Sequence, residues 1–241
     1  MKIYLHLTLL LTVLAIAGCT DHVTNMMAST YHSVPLTIGT GNATTWITTD
    51  GSGNLSAIGI TISDAALASL GTHDSMYELP MPTGISCAFK SIALDFATHD
   101  NAPYNLPHLD PHFMLIDMAT RMGIMDTEDR MMPTNMMMPS GYRSDGKSEM
   151  MMGVHWMDTT GSEFHGSPFE CTFDYGTSKG NMIFYELMCE KASLESHKAF
   201  NKTIRKPTMM GGMMMSMTIP SAYKVSYDQN GHTTTFELNG F

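Results

Sequence analysis

The segment Pro107-His108-Leu109-Asp110-Pro111-His112-Phe113 is the part of this sequence best suited to chemistry. In an extended strand residues two apart share a face, so His108, Asp110 and His112 project together while Leu109, Phe113 and Leu115 point the other way. Two imidazoles and a carboxylate aimed at one point are ligands for zinc, copper or iron, and one strand rarely completes such a site alone. His155, in Gly153-Val154-His155-Trp156, and Glu186, inside the apolar run Ile183 to Met188, are the further ligands expected. A carboxylate flanked by Phe184, Tyr185 and Leu187 is costly to bury unless paired or metal-bound. With one coordination position open, His108, His112 and His155 would make a metal-dependent enzyme in which Glu186 or Asp110 serves as base. The competing structural interpretation leaves the two histidines on an exposed face, with Asp110 capping a turn begun by the prolines.

Methionine forms a second ligand set. There are 26 in 241 residues, and Met131-Met132, Met136-Met137-Met138, Met150-Met151-Met152, Met209-Met210 and Met213-Met214-Met215 with Met217 all fall in segments rich in Pro, Gly and Ser. Thioethers are soft and do not titrate, so grouped methionines suit Cu(I) or Ag(I) in an acidic, oxidising compartment. They also serve as adaptable filler or subunit contacts, and as sacrificial targets for oxidants. Met114, Met118, Met122 and Met125 are spaced by four, four and three, which predicts the core stripe of a helix.

The elements that must position these groups read mostly as strands. Val34–Ile38, Ala43–Thr49 and Leu55–Ser63 precede a short helix over 65–70 capped by Ser63 and Asp64. Ala88–Phe96 and Leu109–Ile116 follow, then a helix from Asp117 to about Met125, a long loop over 126–152 and a strand at 154–158. Phe169–Tyr175 and Asn181–Cys189 flank Gly176-Thr177-Ser178-Lys179-Gly180 as a hairpin. A helix over 194–200 capped by Ser193, and the hairpin of 223–227 with 233–238, complete the chain. The expectation is a mostly β, β-rich α+β domain over 34–241: an antiparallel sheet, sandwich or barrel-like, with two or three short helices and Met-rich loops near 126–152 and 208–217. With the hairpin turn centred on Ser178, Cys171 faces Tyr185 and Cys189 lies about four residues further out, too far for a cross-strand disulfide at roughly 3.3 Å per residue. Whether Cys87 pairs with Cys171 or Cys189 is open.

The runs Leu106 to Phe113, Gly153-Val154-His155-Trp156-Met157-Asp158 and Phe169 to Glu186, with Tyr175-Gly176 and Phe184-Tyr185-Glu186, resemble a family of uncharacterised exported bacterial proteins typified by a sigma-E-controlled, homo-oligomeric thermophile protein. The likeness spans about residues 34–240. It implies a single β-rich domain, self-assembly, and His108, Asp110, His112, His155 and Glu186 as a polar cluster; it implies no activity. Pro111 and Met114 stand where that family has aromatic residues, and the methionine runs are this sequence's own.

The address is exported. Lys2 and the apolar run from Ile3 to Ala17 read as a secretory signal, too short to span a membrane as a helix. Leu14-Ala15-Ile16-Ala17-Gly18-Cys19 resembles a bacterial lipobox, which makes 1–18 a lipoprotein signal peptide, Cys19 the lipidated residue and 19–33 a tether. The expected location is the cell envelope, with the membrane as partner through the lipid anchor. Lys+Arg 13 against Asp+Glu 23, a net charge of -10, argues against nucleic acid. No phosphate loop, GxSxG, HExxH or CxxC occurs. Together these features predict an envelope lipoprotein binding transition metal, copper foremost and zinc or iron as alternatives, through Met-rich loops and the His/Asp/Glu cluster. The other functions in view are a metal-dependent enzyme and an oligomeric structural protein.

Overall fold

A computed structural model describes residues 27–98, 100–125, 131–144, 146–210 and 218–241. The signal peptide, Cys19 and Met213 to Met215 lie outside the described residues. In chain order the strands are β1 (Ser29–His32), β2 (Leu36–Ile38), β3 (Gly41–Thr49), β4 (Leu55–Ser63), β5 (Ser75–Leu79), β6 (Ser91–Ala97), β7 (His108–Met114), β8 (Met136–Met137), β9 (Tyr142–Arg143), β10 (Val154–Asp158), β11 (Cys171–Ser178), β12 (Asn181–Glu190), β13 (Phe200–Thr203), β14 (Thr208–Met209), β15 (Ala222–Asp228) and β16 (Thr233–Asn239). Three short helices, α1 (Asp64–Ser69), α2 (Met118–Met122) and α3 (Lys191–Glu195), join them.

Two antiparallel seven-stranded sheets result, one ordered β1-β3-β4-β16-β15-β13 with β2 beside β3, the other β5-β6-β7-β12-β11-β10-β9. Among the described residues neither closes into a barrel. They pack as a sandwich whose core takes Ile47, Ile58, Ile60 and Phe236 from the first sheet and Leu109, Phe113, Phe173, Tyr185 and Leu187 from the second. Alternation does the sorting: each of those core residues of the second sheet is followed or preceded by one facing the opposite side. That outer face carries two apolar clusters. Met114, Ile124, Met152, Ile183 and Phe184 form one, and Tyr104, Phe169 and Met188 form the other.

Several boundaries differ from expectation for local reasons. β1 pairs with β3 along Ser29↔Thr49 to His32↔Trp46, so the sheet begins inside the stretch 19–33 expected to be a tether. The loop expected over 126–152 holds β8 and β9, and β8 pairs with β14 as Thr208↔Met137 and Met209↔Met136, which joins the two Met-rich loops. β5, whose Met76 and Glu78 alternate with buried Leu79, was not anticipated. The third helix starts at Lys191 instead of Leu194, its N-cap being Glu190. Ser63 caps α1 by accepting from the Ala66 amide, and Asp117 caps α2 through Thr120.

The expected methionine stripe is overturned. α2 ends at Met122, and its inward residue is Arg121, fully buried, while Met122 is 65% and Met125 43% exposed. The guanidinium bonds Glu78 and lies 3.2 Å from the Met76 sulfur and 3.6 Å from that of Met152. An ion pair fixed to β5 thus outcompetes apolar spacing.

The cysteine geometry is overturned as well: Cys171 and Cys189 form a disulfide, and Cys87 is free and half-buried. The turn is the two residues Lys179 and Gly180, both at positive φ, as a tight hairpin of this kind demands. In addition β12 carries one extra residue, Ile183, because Gly176 faces Phe184 while Thr177 faces Met182. The shorter turn and the bulge together bring Cys189 opposite Cys171 and Glu186 opposite Asp174.

Candidate metal centre

The site lies on the outer face of the second sheet, between its two apolar clusters. β7 supplies His108, Asp110 and His112 in alternation, as expected, β12 supplies Glu186, β10 His155, β11 Asp174 and β6 Asp95. All line one cleft of about 700 Å³. Cross-strand register explains the convergence: His112 faces Glu186, Glu186 faces Asp174, and Asp110 faces Asp95.

Within the cleft His112, His155 and Glu186 offer one ligand atom each, all within 4.8 Å of one another. His112 Nδ1 lies 2.9 Å from the Asp110 carbonyl. A carbonyl only accepts, so Nδ1 carries the proton and Nε2 keeps its lone pair. That lone pair faces Glu186 Oε1 at 3.4 Å, while His155 Nε2 lies 3.5 Å from Oε2. His112 Nε2 and Glu186 Oε2 are buried without a hydrogen-bond partner. An acceptor facing an acceptor in a buried site is the arrangement a cation resolves.

Electrostatics agree. Burial, then the neighbouring Asp110 and Asp174, holds the Glu186 carboxyl well above its ordinary range. Burial does the same for Asp110 and Asp174, and it pushes Asp95 up to about 7, partly offset by Arg121. Burial, the nearby His155 and Arg121 hold His112 well below its usual value, so it is neutral and able to ligate at pH 7.

His108 stands apart from the three. Its Nδ1 donates to the Leu106 carbonyl, which leaves Nε2 an acceptor 3.3 Å from Asp110 Oδ2, where a protonated Asp110 carboxyl can donate to it. A centre made of His108, His112 and His155 is therefore not what the fold assembles; Glu186 stands in the place of His108. Among the methionines, Met152 lines this cleft, Met150 is exposed, and the Met151 carbonyl accepts from Arg121 Nε. Met136, Met137 and Met138 line a different cavity, of about 360 Å³, with Met132 and Met210.

Asp95 and Asp174 are not among the residues expected here, and Phe184 and Gly176 have a part in the site beyond the motif and turn they were read in. Asp174, between Phe173 and Tyr175, shows the same signal that singled out Glu186. Phe184 lies edge-on to His112 and tilted against His155, with ring centres 5.0 and 5.1 Å away. Gly176 makes room for that ring, since a Cβ there would sit 2.0 Å from it.

Comparison with protein-family models, with curated proteins and with solved structures finds no match.

Proposed function

We propose that the chain is a metal-binding lipoprotein of the bacterial cell envelope, anchored through Cys19, that holds one transition-metal ion on His112, His155 and Glu186. The observation that carries the metal site is the buried carboxylate set between two imidazole nitrogens, one of which, His112 Nε2, is itself an acceptor without a hydrogen-bond partner. Two imidazoles and a carboxylate suit zinc or ferrous iron, and cupric copper as well. An ion with three protein donors keeps positions for water or a ligand, and the cleft gives that ligand room. The signal-like N-terminus and lipobox support the envelope address. Metal analysis of the full chain, prepared without chelator, is expected to find about one equivalent, lost in His155→Ala. His155 is 20% exposed at the cleft mouth, so its truncation spares the core. A wild-type chain that takes up no zinc, iron or copper would overturn this function.

The joining of β8 to β14 favours a separate site for monovalent copper. Met132, Met136, Met137, Met138 and Met210 line the smaller cavity beside Tyr142 and Trp156. Thioethers gathered next to an indole suit Cu(I) or Ag(I). Silver titration is expected to quench Trp156 fluorescence, with Trp156→Phe leaving the unaffected signal of Trp46, and the affinity is expected to fall about tenfold in the double variant Met136→Leu, Met138→Leu. Quenching that survives this substitution would dismiss the copper site.

A further inference from the structure

One ion at Glu186 leaves the cleft short of hydrogen-bond donors. Asp174 is fully buried, and beyond the nearby Asp158 backbone N–H its carboxylate oxygens have no hydrogen-bond partner. Asp110 is 6% exposed with Oδ1 equally unmatched, and the Tyr104 hydroxyl, 3% exposed, has no partner either. All three residues line the same cleft, where Asp95, Asp100 and Glu149 add negative charge and Lys147 is the cationic side chain. Buried acceptors left unmatched are expensive, so a ligand that brings several N–H donors and positive charge has much to gain here.

We propose that the cleft binds an organic cation beside the metal, an ammonium or guanidinium group seated between Asp110 and Asp174 near the Tyr104 hydroxyl. A second small ion fits less well. Such an ion needs at least three donors drawn close together, and among the described residues that condition is met at His112, His155 and Glu186 alone. A guanidinium spreads its donors over a wider fork and reaches acceptors that no single ion spans. The adjoining wall is apolar: Tyr104 packs edge-on against Phe169 at 5.0 Å and Phe164 at 5.9 Å, and Met188 and Met157 complete the cluster. A cationic head on an aliphatic stem matches that pairing of carboxylates with hydrocarbon, within the size range of small-molecule sites. The inference rests on the metal reading of the same cleft, because an ion at Glu186 leaves the unmatched oxygens of Asp110 and Asp174 to a second ligand.

The test is calorimetric titration of agmatine, with 1-pentanol as uncharged control, into the full chain in its metal-free and zinc-loaded forms. Agmatine is expected to bind and pentanol not, with affinity falling at least about tenfold in Asp174→Asn. Asparagine keeps the shape of the side chain, and a cooperative melt at or above the wild-type temperature certifies the variant's fold. Zinc uptake without agmatine binding would overturn this inference and spare the metal centre. Agmatine binding without zinc uptake would overturn the metal centre and, with it, the seating of the cation beside a metal. A second zinc equivalent that displaces agmatine would overturn the inference in favour of a two-ion site.

Discussion

Glu186→Gln is expected to abolish metal uptake and, at the same time, to raise the melting temperature of the metal-free chain. The carboxylate is 2% exposed and is set between two imidazole nitrogens, one of them an acceptor by its own hydrogen bond to the Asp110 carbonyl. Glutamine keeps the shape, cannot ionise and supplies an N–H that can donate to His112 Nε2. Replacing a buried carboxyl whose Oε2 has no hydrogen-bond partner by a neutral donor is worth about 1–3 kcal/mol, or roughly 3–8 °C for a chain of this size. The metal loses one of three protein ligands, so its affinity should drop by at least about 100-fold. Calorimetric melting with metal analysis on the same preparation decides the matter. A variant that melts lower and still holds metal would make Glu186 a structural carboxylate.

The metal-free chain is also expected to gain stability as pH falls from 8 to 6.5, contrary to the common pattern. Asp95, Asp110, Asp174 and Glu186 all have folded pKa values above their unfolded ones. Across the interval between the two values the folded state binds more protons, so stability drops as pH rises. For Asp95 that window runs from about 4 to about 7. The other three extend the effect upward in the same direction, so the melting temperature is expected to fall between pH 6.5 and 8. Below about 6.5 the sign is contested, because His108 and His112 are held neutral by burial and their contribution is lost as the unfolded chain takes up protons. Bound metal reverses the upper slope, since it competes with the proton for Glu186. Melting curves at pH 6.5 and 8, with chelator and with zinc, test both signs; a chelated chain that melts higher at pH 8 would show that these carboxyls are solvated.

Much of this centre was legible in the chain. Alternation placed His108, Asp110 and His112 on one face, and the cost of a carboxylate in an apolar run marked Glu186, because both arguments depend on strand geometry alone. The same cost argument applied to Asp174 and was missed there. What could not be read was phase and partner. The Cys171–Cys189 pairing depends on where the turn falls and on the extra Ile183, and neither leaves a mark in residue spacing. Arg121 displaced a regular methionine stripe because its partners Glu78, Met76 and Met152 come from elements distant in sequence. The methionine loops met through β8 and β14, a pairing too short to carry a pattern.

Ile183 bears on how such a protein can change over generations. In β7, in β11 up to Gly176 and in β12 from Phe184 onward the even and odd positions serve opposite faces, so one residue inserted or deleted there would turn core side chains into the cleft and ligands into the core. Core and centre therefore share a single reading frame of the pleat. Descendants of this chain can retune the centre by exchanging one side chain for another in the strands, but indels must fall elsewhere. The connections on either side of β10, which include Glu149, Met152 and Phe164, border the cleft without belonging to that frame. Novelty in ligand choice is thus channelled into the lengths of those connections, while the three residues that would hold the metal are inherited together with the fold.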